Sequence, residues 1–135
     1  MVWMRALSVW ALILAVEFAH GVARTLWLLP RVGDLPSRQI GVVVGSALIL
    51  VITWLTVRWI AAASRRQWLL IGTLWVALML AAEVALGRLV FAYPWSRITE
   101  DFDLSRGGFL GIGMVVLLLA PLAMAMARRL PGARR

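Results

Sequence analysis

The sequence predicts an all-α integral membrane protein. Four transmembrane helices are expected, as two parallel repeats of a helical hairpin with both termini cytoplasmic. Three observations carry this. The chain is 63% hydrophobic with a mean hydropathy of +0.92, where soluble domains are about 45–50% apolar. Its apolar residues fall into four long runs, Ala6 to Leu29, Ile40 to Ile60, Trp68 to Phe91 and Gly107 to Ala127. Its basic residues, all arginine, alternate in density between the segments joining those runs. Residues 1–135 read as a single four-helix transmembrane domain with no soluble domain attached.

Each run has about the 20 residues needed to cross a hydrocarbon core. Lipid satisfies no backbone polar group, so such a segment closes its own hydrogen bonds as a helix. The first run follows Arg5 as the apolar part of a signal peptide would, but Glu17 interrupts it, and it is read as a mature helix. The second follows "PRVGDLPSR", whose Gly33 and prolines form a turn. The third follows the arginine-rich "ASRRQ". The fourth follows the acidic loop "YPWSRITEDFDLSR", which lacks the glycine-fixed pattern of a calcium site and reads as solvated. Ser37 and Ser105 are the expected N-caps of the second and fourth helices.

Arg5, Arg58, Arg65, Arg66, Arg128, Arg129, Arg134 and Arg135 fall on one side of this topology. Arg31, Arg38, Arg97 and Arg106 fall on the other. The arginine-rich side is expected to be cytoplasmic, which places both termini inside. The net charge of +8 therefore follows topology and implies the lipid bilayer as partner, not nucleic acid. Arginine without lysine suits a GC-rich bacterial genome, so the expected location is a bacterial cytoplasmic (inner) membrane. Trp27 and Trp95 on the outer side, with Trp59 and Trp68 on the inner, fit interfacial belts.

The hairpin is written twice. "ALILAVEFAHG" (11–21) aligns without gaps on "ALMLAAEVALG" (77–87), matching Glu17 with Glu83 and Gly21 with Gly87. Ser37-Arg38 and Gly45 correspond to Ser105-Arg106 and Gly113. Repeat one spans about 6–63 and repeat two about 68–129. Both start on the same side, so a pseudo-twofold axis along the membrane normal is expected. It would bring Glu17 and Glu83 together at equal depth, with the first and third helices close-packed through Ala11, Ala15 and Ala19 against Ala77, Ala81 and Ala85. Gly41 and Gly45, and Gly107 and Gly111, form GxxxG pairs that imply tight packing or a homodimer.

The candidate ion or proton site is Glu17, Glu83, Arg24, Arg88 and His20. At about 100° per residue, Glu17, His20 and Arg24 share one face of the first helix, whereas Arg88 stands about 140° from Glu83. A charge at mid-membrane costs roughly 2.5–3.5 kcal/mol on insertion scales. Such a carboxyl is therefore paired with arginine to fix helix register, kept protonated, or exposed to a wet cavity. His20 has Leu86 at its repeat position and reads as an accessory hydrogen-bond partner, not a metal ligand. The chain has no cysteine, and no metal site, cofactor motif or catalytic motif is found, so an enzyme is not expected.

"LAVEFAHG", a glutamate within the first of four short-looped helices, resembles the small multidrug resistance transporters. That resemblance implies a membrane carboxyl that exchanges protons for a solute, with Glu17 in that role. It ends within that stretch: Glu83 is a second glutamate in the third helix, and the family's glycine- and aromatic-rich pattern is missing. The expected function is proton- or ion-linked transport of a small solute, carried out by a dimer. The alternative is a non-catalytic helper or assembly subunit of a larger membrane complex.

Overall fold

The computed structural model describes residues 1–135, and all its regular elements are helical. In chain order these are α1 (Val2–Val32), α2 (Asp34–Ile60), α3 (Arg65–Val90), a short α4 (Trp95–Glu100) and α5 (Leu110–Ala127). All but α4 are long and apolar enough to cross a membrane.

The turns follow from local chemistry. α1 reverses into α2 at Gly33 alone, whose φ of 89° and ψ of 172° suit glycine and almost nothing else. α2 stops at Ala61, in the left-handed conformation, whose N–H bonds the Val57 carbonyl. Ser64 caps α3 by accepting from the Gln67 N–H at 3.2 Å, while Gln67 Oε1 accepts from the Ala63 N–H at 2.7 Å. This is a capping box displaced by one residue. Neither expected serine cap forms. Gly33 and Phe109 hold the N-cap positions of α2 and α5. Ser37 lies inside the first turns of α2, fully buried. Ser105 lies in a separate turn, Leu104–Arg106, ahead of α5. There its hydroxyl bonds Asp103 and holds that exposed carboxyl below the usual carboxylate range.

α1 packs along α2, α2 along α5, and α5 along α3. α1 and α3 meet only over a short stretch, where the Trp75 indole N–H donates to the Ala6 carbonyl at 2.9 Å. Between the hairpins the principal contact is α2 with α5, and α1 and α3 do not pack along their length as expected. The alanine rows do not pack either: Ala11, Ala15, Ala19, Ala77, Ala81 and Ala85 are all exposed. Helix geometry explains this, because Ala15 and Glu17 point about 160° apart and cannot both face α3. The closest approach lies elsewhere. A Cβ on Gly72 of α3 would strike the backbone of Leu118 in α5, one turn before the buried Pro121.

The core occupies the arginine-rich half of the bundle. Ala6, Val9 and Ile13 are the only buried residues of α1. They meet Val57 and Ile60 of α2, Trp68, Ile71 and Trp75 of α3, and Ala120 and Ala125 of α5. Trp68 is thus fully buried in the core, not part of an interfacial belt, while Trp54 and Trp59 are exposed at this end. Arg5 donates to the Trp59 carbonyl at 3.0 Å, and the Arg65 N–H to the Arg135 carbonyl at 3.2 Å. Both termini and the α2–α3 turn therefore share one end. Beyond Ile13 and Met79, α1 and α3 bury only Gly87 between them.

Candidate functional site

Where that core stops, a cavity of about 450 Å³ opens between the four long helices and the α3–α5 loop. Its walls are largely apolar, and Glu17, His20, Arg24 and Glu83 all line it. Glu83, Phe18, Val22 and Leu26 line it and are also exposed. The cavity is therefore open sideways, through the gap between α1 and α3.

The polar face of α1 rests on a row of small residues on α2. The helices run antiparallel, so positions 17, 20 and 24 of α1 descend past 45, 41 and 37 of α2. A Cβ on Gly45 would lie 2.6 Å from Glu17 Oε2. One on Gly41 would lie 2.7 Å from Arg24 Cδ and 4.0 Å from His20 Cε1. Arg24 Nη1 donates to Ser37 Oγ at 3.0 Å, which satisfies a hydroxyl otherwise buried in apolar surroundings. The Gly41–Gly45 pair thus serves to seat charged side chains and not to bring two backbones together.

Neither glutamate has a cationic partner. Every ion pair of the chain lies between residues 34 and 106, and none includes Glu17 or Glu83. Glu17 Oε1 is buried without a hydrogen-bond partner. Arg88 is not at the cavity. Its Nη1 donates to the Tyr93 carbonyl at 3.0 Å, and its guanidinium lies 5.0 Å from the Trp95 ring. Glu17, Glu83, His20 and Arg24 share one cavity, and Arg88 faces away toward the loop.

Both helices flanking the opening leave α-geometry beside it. Arg24–Leu28 of α1 and Leu86–Val90 of α3 are π-helical, a wider winding that recurs at functional sites. Phe91 N–H closes the second such turn onto the Leu86 carbonyl at 3.0 Å.

The loop above the cavity is tied down by charge. Arg38 of α2 pairs with Asp34 at 3.0 Å and with Asp101 of the loop. Arg97 of α4 forms two hydrogen bonds to Asp34, at 3.0 and 3.2 Å, and lies 5.2 Å from the Tyr93 ring. Gln39 donates to the Gly107 carbonyl at 3.1 Å. These contacts hold Tyr93, Ile98 and Phe102 over the cavity as its cap. The sequence reading missed Ser37, Gly41 and Gly45 as the seat of the α1 charges. The signal was present: 17, 20 and 24 on one helix and 37, 41 and 45 on the next are both one-face spacings. It also missed the cap, since pairs such as Arg38–Asp101 join residues far apart in sequence.

No known protein family, curated protein or solved structure matches this chain.

Proposed function

We propose that the chain is a proton- or ion-linked membrane carrier of a small solute, with Glu17 and Glu83 as its exchange site. The observation that carries this reading is the pair of glutamates without counter-ions on the wall of one laterally open cavity. A carboxyl used only to fix helix register needs an arginine in contact; here Arg24 is engaged with Ser37 and Arg88 with Tyr93. The cavity's size supports a small molecule, since ligand sites are typically about 300–1,000 Å³. The packed core closes the arginine-rich half and the α3–α5 loop caps the other, so a solute would enter laterally, through the gap between α1 and α3. In the bacterial inner membrane that half is cytoplasmic, by the arginine bias.

The test is reconstitution in liposomes loaded with a pH-sensitive dye, under an imposed pH gradient. A panel of small amphipathic amines, acids and zwitterions is then added. Carriage predicts a solute-dependent dye response that Glu17→Gln and Glu83→Gln each abolish, with melting in detergent close to wild type. Absence of any solute-dependent proton movement by the folded protein counts against it.

One observation favours the second reading, an assembly subunit. The two exposed alanine rows offer smooth helix faces that another transmembrane helix can approach closely. Mild-detergent purification separates the readings: a stoichiometric unrelated membrane protein supports assembly, and the chain alone or as a homodimer supports the carrier.

A further inference from the structure

The arginine-rich end carries eight arginines and no acid. Four of the six acidic residues, Asp34, Glu100, Asp101 and Asp103, lie at the opposite end, and Glu17 and Glu83 lie within the helices. Helix dipoles do not balance this charge, because α1 and α3 start here while α2 and α5 finish here, and their contributions cancel. The acidic side chains of the chain therefore leave the arginines of this end unbalanced.

A recess of about 380 Å³ lies at this end. Its floor is the α2–α3 turn, Ala61 to Ala63, and its wall is the segment from Leu130 to Arg135. That wall is fixed in place. Arg65 Nε donates to the Ala133 carbonyl at 2.7 Å, Ala133 is fully buried, and Gly132 presses so close to the Ala62 backbone that a Cβ has no room. Arg58 and Arg135 line the recess. Arg5, Arg65 and Arg128 are all engaged with backbone carbonyls, whereas the Arg58 and Arg135 guanidiniums make neither a hydrogen bond nor an ion pair. Trp54 and Trp59, exposed beside Arg128 and Arg5 at 5.0 and 5.7 Å, mark the level as that of the membrane interface.

We propose that this recess binds the phosphate headgroup of an anionic phospholipid, held between Arg58 and Arg135. Guanidinium presents paired donors to phosphate oxygens, and basic recesses between transmembrane helices are suited to anionic headgroups. The site is separate from the glutamate cavity and does not depend on transport; it rests only on the chain lying in a bilayer.

The experiment is native mass spectrometry of the purified full chain, titrated with phosphatidylglycerol and with phosphatidylcholine of equal chain length. Phosphatidylglycerol should bind preferentially and be retained against inorganic phosphate at the same concentration. Arg58→Gln with Arg135→Gln should weaken it roughly 30-fold, taking about 1 kcal/mol for each arginine near a charged headgroup. Arg31→Gln with Arg106→Gln, at the opposite end, should leave it unchanged. Melting of the lipid-free variants checks that the fold is intact, and salt should weaken lipid binding without moving that melting temperature. Equal binding of the two lipids, displacement by inorganic phosphate, or unchanged binding in the Arg58/Arg135 variant overturns the proposal.

Discussion

Gly45 leaves room for the carboxyl of Glu17, whose Oε2 lies 2.6 Å from where a Cβ would stand. Gly45→Ala should therefore push the Glu17 side chain off α2 and into the cavity. Because that carboxyl is a flexible tip beside an open cavity, melting in detergent should change little, while solute-coupled proton movement should be lost. Glu17→Gln keeps the shape of the side chain and has no ion pair to break, so its melting should stay close to wild type; an early melt would point to a structural charge. The polar face of α1 was legible in the sequence because 17, 20 and 24 follow the helical period. The direction of Arg88 was not: its position on the helix is fixed by arithmetic, but its partners, Tyr93 and Trp95, come from a loop whose path the sequence does not state.

Among the elements, α3 carries the tightest packing, with Gly72 against the Leu118 backbone and Trp75 bonded to Ala6. Gly72→Val should force α3 and α5 apart and lower stability by more than Gly45→Ala, since backbone cannot yield as a side-chain tip can. Trp75→Phe removes the one hydrogen bond across the α1–α3 contact and leaves a cavity where the fully buried indole packed, so it should cost more than the ~1 kcal/mol of the bond alone; chemical denaturation in mixed micelles measures both. Hydropathy made the four long helices legible, since length and apolarity alone identify them. Their starts were less so. Ser105 looks like a cap, but Asp103 captures it in a separate turn, and α5 begins only at Leu110. The shared pattern around Glu17 and Glu83 says that two helices are alike, and nothing about how their hairpins pack together. That depends on which faces pack, and here the residues matched most often, the alanines, are the ones left outside.

At the scale of the whole molecule, one half is packed and the other hollow, and the charges divide along the same axis. The sidedness is open to a direct test, because the chain has no cysteine of its own. A cysteine at the exposed Ala63 should resist an impermeant thiol reagent in intact cells, and one at the exposed Ser105 should react; the reverse pattern would invert the topology. The carrier reading requires Glu17 and Glu83 to act as one site across the shared cavity. Infrared titration of the carboxyl bands tests it most directly, using the purified chain and its two single Gln variants. Groups that share a site titrate in steps belonging to the pair. Glu17→Gln should move the titration of the remaining Glu83 carboxyl, and Glu83→Gln that of Glu17. A Glu83 titration identical with and without the Glu17 carboxyl would contradict it.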